Sequence, residues 1–207
     1  MFKTLENKEC YAEIVEKKSK FIASVFYVES VEEAEEKVKE VKKRYFDARH
    51  NCFAYRIATK DGFTERFSDD GEPSGTAGGP MLTTLSGRNL ANVVVVVTRY
   101  FGGILLGTGG LIRAYTLALQ TALENVKFKE MIFGFSAEIE VSYSDFEKLK
   151  YYCKQKEISI GDVEYLENVK AKLDMKREAY EELEKQKNEL NFIIKNMKKI
   201  GEKYICV

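Results

Sequence analysis

The chain has 207 residues, 44% hydrophobic and 32% charged, with a formal net charge of zero. That composition builds a globular protein of one large domain or two small ones, and it excludes a polycation held to nucleic acid or anionic lipid by its overall field. Cys10, Cys52, Cys153 and Cys206 are scattered without a CxxC and His50 is the only histidine, which excludes a zinc site of ordinary spacing. Isolated thiols suit a reducing compartment, the first ten residues contain no apolar leader, and no apolar run approaches the length of a membrane span. The expectation is a cytoplasmic protein that keeps off membranes and has no metal ion and no cofactor.

Taken in order, Tyr11–Ile14 and Phe21–Val28 read as strands joined by the charged turn Glu16–Lys20. Ser30 with Glu33 three residues on forms a capping box, and Val31, Ala34, Val38 and Val41 give the following helix one apolar face. Phe53, Tyr55 and Ile57 alternate before Asp61-Gly62, a hairpin signal.

The next stretch, SDDGEPSGTAGGP (Ser68–Pro80), holds four glycines, both prolines of the chain and the acids Asp69, Asp70 and Glu72. These acids read either as ligand-facing groups or, more plainly, as side chains that build turns through local hydrogen bonds. After a short helix comes NVVVVVTRYFGGILLGTGGLIRAY (Asn92–Tyr115). Val93–Val97 are five β-branched residues in a row, the mark of a strand buried on both faces. Thr98, Arg99 and Tyr100 add polar groups where that strand leaves the core, and Gly102, Gly103, Gly107, Gly109 and Gly110 follow. From Leu111 to Val126 apolar residues recur at helical spacing. A strand, glycine-rich loop and helix in this order leave free N–H groups at the helix start, which suit an anion. The same glycines serve equally for close packing of helix on strand. No GKS or GKT follows and no GxGxxG is present, so nucleotide hydrolysis gains nothing from this loop.

Pro73–Leu123 contains no Asp, Glu or Lys, which leaves Arg88, Arg99 and Arg113 as its charges. Arginines without local acids, beside glycine loops, favour phosphate. The two glycine loops are expected to open together on one edge of the sheet. Should Arg99 instead be buried, Asp69 or Asp70 is its expected partner.

After Val126 the glycines thin out. Phe133, Phe135, Ala137, Ile139 and Val141 alternate as a half-buried strand. Ser144 with Glu147 suggests a second capping box, for a helix turning Phe146, Leu149 and Cys153 inward. Ile158–Asn168 and Val169–Met175 read as paired strands, then come a helix near Glu178–Leu190, a short helical piece, and a last strand over Lys203–Val207. The order β-α-β-β-α-β is ferredoxin-like, and the chain as a whole is of the α+β class with a boundary near Lys127–Ile132.

YFDARHNCFAYR, SDDGEPSGTAGGP and VVVVVTRYFGGILLGTGGLIRAY together resemble the YigZ/IMPACT family, over about Cys10–Leu123. The resemblance implies an N-terminal domain (1–128) of the ribosomal protein S5 domain 2-like fold. It also implies a C-terminal domain (132–207) similar to the last, ferredoxin-like domain of elongation factor G. Eukaryotic members of the family are translational regulators with a further N-terminal domain; for bacterial members the resemblance suggests nucleic-acid or ribosome association. Carried over by motif, the binding-cleft residues are His50, Asp69, Asp70, Gly71, Glu72, Gly75, Thr76, Gly78, Thr98, Arg99, Tyr100, Gly102, Gly103, Gly107, Gly109, Gly110 and Arg113. One departure is Arg49, which adds a positive charge where a smaller polar residue is commoner.

Two readings follow. In the first, the chain is a binding or regulatory module of translation whose cleft takes RNA phosphates, the ribosome or a protein partner. In the second, it is an enzyme acting on a phosphorylated small molecule, with His50 or Asp70 as acid–base group. No nucleophile–base pair is placed by the sequence, so no catalytic residue is assigned.

Overall fold

The structure, a computed structural model, describes residues 1–206; Val207, the expected end of the last strand, lies outside the described residues. The chain divides into a unit of Phe2–Lys129 and a second that begins at Glu130 and also takes in Met1.

The first unit contains β1 (Phe2–Leu5), β2 (Glu9–Glu16), β3 (Ser19–Tyr27), α1 (Val31–Arg44), β4 (His50–Thr59), β5 (Gly62–Ser68), α2 (Gly78–Gly87), β6 (Val93–Tyr100) and α3 (Thr108–Ala122). Strands β2 to β6 form an antiparallel sheet in the order β2-β3-β6-β4-β5. The valine run is its central strand. Because side chains alternate across a strand, Val93, Val95 and Val97 enter a core with Met81 and Leu85 of α2 and Leu111, Tyr115 and Leu119 of α3. Val94 and Val96 enter a second core, with Ala34, Val38 and Val41 of α1. All five are fully buried, and each contributes roughly 1.5–3 kcal/mol of transfer free energy. Helices therefore cover both faces of this sheet. One covered face would not suffice, because the apolar stripe of α1 needs the even-numbered valines beneath it.

Register places the loops. Lys20 of β3 and His50 of β4 lie opposite Tyr100 and Arg99 of β6, and Phe53 of β4 lies opposite Ser68 of β5. The loop after β5 and the loop after β6 thus leave the sheet at the same end. Strand β1 was not foreseen. Its Phe2 and Leu5 are buried, and Lys3 pairs with the chain at Asn89 and Ala91. Four residues are too few to show a period.

The second unit carries β7 (Phe128–Val141, whose first two residues lie in the first unit), α4 (Tyr143–Gln155), β8 (Ser159–Tyr165), β9 (Val169–Lys176), α5 (Arg177–Gln186) and β10 (Ile194–Cys206). Its strands run β10-β7-β9-β8, all antiparallel, and Ile139, Val141, Leu173 and Met175 pack against Phe146 and Leu149 of α4 and Leu183 of α5. Two details differ from expectation. Ser142 rather than Ser144 caps α4, accepting from Asp145 N–H, because β7 ends at Val141 and the helix begins at Tyr143 with Ser142 alone between them. The final strand begins at Ile194, and 187–193 is turn and bend rather than a helical piece.

Candidate functional site

Each glycine-rich loop delivers a helix, and the two helix starts are treated differently. At α2, whose N-cap is Ala77, no side chain of the cap itself is used; Asp69 reaches across instead. Its carboxylate accepts from the N–H groups of Gly75 (2.8 Å), Ala77 (3.0 Å) and Gly78 (2.8 Å). An anion at a helix start satisfies N–H groups that the helix cannot, so the anion site of α2 is filled from within. At α3 the N-cap is Gly107 at φ +72°, and no side chain caps it. Gly107 adopts the left-handed region that other residues enter only at a cost, and among the described residues no side chain accepts from the helix start it opens.

The remaining acids of the first loop are also engaged. Asp70 pairs with Lys42 at 2.6 Å and accepts from Asn51 N–H at 2.8 Å. Glu72 is buried, and its Oε1 accepts from Arg99 Nη1 at 2.7 Å and the Tyr115 hydroxyl at 2.9 Å. Arg99 is therefore buried as the alternative expectation has it, but its partner is Glu72. The acid that neutralises it stands one position before the acid-free stretch. Its Nη2 lies 3.4 Å from Ser19 Oγ, its guanidinium sits against the rings of Phe21 and Phe101, and its Nε is buried without a partner among the described residues. Beneath this pair Cys52 Sγ lies 2.9 Å from the Asp69 carbonyl and 3.3 Å from the Tyr115 hydroxyl. Burial pushes the Cys52 thiol up to about 12, so it is no nucleophile at neutral pH, and burial likewise raises Tyr115.

Above the pair opens a cavity of about 380 Å³ lined by Arg49, His50, Glu72, Pro73, Arg99, Phe101, Leu105, Leu106, Gly107, Thr108 and Leu111. His50 Nδ1 lies 2.9 Å from the Asp70 carbonyl, an oxygen that only accepts, so Nδ1 carries a proton; in the neutral ring Nε2 is then the acceptor. Pro73, Phe101, Leu105, Leu106 and Leu111 supply apolar walls, and Phe101 (51% exposed) and Leu105 (83% exposed) stand at the surface.

The other residues singled out by motif divide between support and neighbouring surface. Thr98 is buried and donates to Asn51 Oδ1, Thr76 donates to the Pro73 carbonyl, and Gly71 lies against the His50 ring. Tyr100 donates to Asp47 at 2.7 Å, a bond that pushes its hydroxyl up to about 12. A Cβ on Gly102 would fall 2.0 Å from the Lys18 carbonyl, and one on Gly78 2.8 Å from the Ser68 carbonyl, so both are close-approach glycines. Gly75 and Gly103 hold positive φ in the loops, and Gly109 and Gly110 lie in the first turn of α3. Arg113 is exposed and lines a different, smaller cavity of about 190 Å³ with Glu16, Lys17, Leu106 and Gly110. The cavity that holds Arg99 does not include it. Among the described residues no group of three or more His, Cys, Asp or Glu is placed to hold a metal ion, and no helix is long and apolar enough to cross a membrane.

Sequence reasoning missed Tyr115 and Ser19 as members of this cluster. Tyr115 reads as an apolar helix position, yet a tyrosine among Ala and Leu on a core face needs a partner for its hydroxyl, and that was the available signal. Ser19 sits in a charged turn and nothing local marks it as buried.

A two-unit α+β chain with an open helix start over a buried ion pair defines the class, and comparison with known proteins gives the family. Residues 17–123 match the Impact N-terminal domain and residues 139–190 match a domain of unknown function, DUF1949. The IMPACT family member YvyE of Bacillus subtilis is 40% identical over 157 residues, 76% of this chain and 72% of that protein. The member YigZ of Escherichia coli is 46% identical over 111 residues, 53% of this chain and 54% of that protein. A crystal structure of a hypothetical protein is similar over 98% of both chains, with a TM-score of 0.64 and 30% identity. The chain belongs to the IMPACT family.

Proposed function

We propose that this chain is a translation-associated regulatory or binding protein that contacts RNA or the ribosome through the glycine-rich cleft of its first unit. Translation enters through the family resemblance. The cleft enters through one observation: the start of α3 is uncapped and opens on a cavity with Arg49 and His50, whereas the start of α2 is filled by Asp69. A backbone site of this kind takes a phosphate without reading bases. In this reading the first unit is the S5 domain 2-like domain (1–128). The second is the ferredoxin-like domain (132–207), which the strand order β10-β7-β9-β8 supports, and the protein works in the cytoplasm.

The test uses fluorescence anisotropy with a labelled single-stranded RNA and co-sedimentation with purified ribosomal subunits, each over a salt series. Binding to at least one of them is expected, with log K falling linearly in log salt and a further loss on Arg49→Glu. Absence of binding to both at low salt contradicts the proposal.

One observation favours a second reading. His50 lines a cavity with apolar walls and is held through Nδ1 by the Asp70 carbonyl, a setting suited to acid–base work on a phosphorylated small molecule. Thermal stabilisation by sugar phosphates or nucleoside monophosphates, without affinity for RNA or subunits, selects that reading.

A further inference from the structure

The helices of the first unit differ sharply in surface chemistry. In α1, ten of fourteen residues are charged and only the stripe facing the sheet is apolar. In α2, ten residues long, no side chain is charged; in α3, fifteen residues long, Arg113 is the only charge. Both nevertheless have an outer face. Ile112 (39%) and Leu117 (47%) of α3 and the neighbouring Phe67 (48%) of β5 are exposed. The hydroxyls on α2 do not offset this, because Thr83 and Thr84 donate back to the Gly79 and Pro80 carbonyls (3.1 and 2.9 Å). An i−4 bond of that kind occupies the hydroxyl with its own helix.

The face also carries a shallow groove. It holds about 600 Å³ between Phe67, Pro80, Leu82, Thr83 and Ile112. It shares Ile112 and Thr116 with a second hollow of about 390 Å³, which continues past Arg113 and Leu117 to Gln120. No acidic residue lines either hollow. An acid-free helix pair with exposed apolar side chains and one charge is not what water selects, and it marks a surface that is covered in use.

We propose that the α2–α3 groove docks an acidic amphipathic helix of a protein partner, with apolar residues seated along Ile112 and Leu117 and a carboxylate on Arg113. Charge decides the occupant. Arg113 is exposed at the middle of the apolar stripe and has no ion pair among the described residues. A second copy of this chain, docked about a two-fold axis, would bring two Arg113 guanidiniums onto hollows that hold no carboxylate. Glu16, in the adjoining cavity that Arg113 and Leu117 also line, comes with Lys17 and gives that face no net negative charge, and burying a poorly compensated charge is unfavourable. RNA requires several cations, and this face supplies one. A helix with an i, i+3, i+4, i+7 apolar row flanked by Asp or Glu satisfies both the groove and the arginine.

This inference does not rest on the cleft reading, since Arg113 and Leu117 lie outside the cavity that holds Arg99. The test selects peptides of about 16 residues, four to five helical turns, from a random phage-displayed library on the intact protein. Leu117→Asp and Ile112→Asp serve as counter-selection surfaces, after melting curves confirm that both variants fold. Enrichment of sequences pairing helical apolar spacing with Asp or Glu is expected. The best synthetic peptide should lose at least about tenfold in affinity against Arg113→Glu and regain it when its own acids are exchanged for lysine. RNA and subunit binding should be unchanged in Leu117→Asp. No enrichment over the Asp variants, enrichment of basic sequences, or a dimer in sedimentation velocity that Leu117→Asp dissolves would each overturn the proposal.

Discussion

At the scale of single residues the Arg99–Glu72 pair decides how the cleft behaves. Both side chains are nearly inaccessible, at 7% and 3% exposure. Breaking such a pair from one side leaves an uncompensated buried charge and costs about 3–5 kcal/mol, while replacing both partners costs far less. Arg99→Ala should therefore lower stability by about that amount in denaturant unfolding, and Arg99→Met with Glu72→Gln should recover most of it; equal losses in the single and double variants would refute the pairing. Arg99 is thus a structural cation first, and the positive field of the cavity comes from Arg49 and the start of α3. A second residue-scale consequence concerns alkali. Cys52 is held protonated by burial, from 9.0 up to about 12. The folded state then binds more protons than the unfolded state above pH 9, so stability falls as pH rises from about 9 to about 12. Cys52→Ala should flatten that part of the stability–pH curve; an unchanged slope would show that the thiol titrates normally.

At the scale of elements, the unbroken valine run and the helical spacing after Leu111 were legible because burial imposes both patterns locally. The close position of the two loops followed from the same reading, since a central strand delivers one of them. The partner of Arg99 was not legible. Twenty-seven positions separate it from Glu72, and only the register of β4 and β6 brings the first loop over the strand end. Charge depletion over 73–123 suggested free arginines for the same reason, as the compensating acid lies just outside the window. Asp69 is the element-scale counterpart: one carboxylate holds three N–H groups and seats α2. Hydrogen bonds to charged groups are worth about 1.5–3 kcal/mol, so Asp69→Ala should destabilise by about 3 kcal/mol, with hydrogen-exchange protection lost first across 75–81. Protection lost evenly over the sheet would argue against a local role. Gly102→Ala meets backbone at 2.0 Å and should destabilise by about 1–3 kcal/mol or more, read as a lower Tm, whereas Gly75→Ala has free space and strains only its φ.

For the whole molecule the first unit presents two different surfaces, a cavity with Arg49 and His50 at one end of its sheet and a groove over α2 and α3 whose one charge is Arg113. The cavity is proposed as an anion site because Asp69 fills the start of α2, whereas no side chain among the described residues fills the start of α3. Thr108→Asp tests this most directly. Thr108 is the first residue of α3 and lines the cavity. A carboxylate there complements the helix dipole, so the fold should keep its Tm or gain slightly, by a few tenths of a kcal/mol. It would also do at α3 what Asp69 does at α2 and occupy the site. The account predicts that Thr108→Asp folds normally and loses at least about tenfold in affinity for RNA or ribosomal subunits at low salt. A normally folded Thr108→Asp protein with undiminished affinity would contradict it.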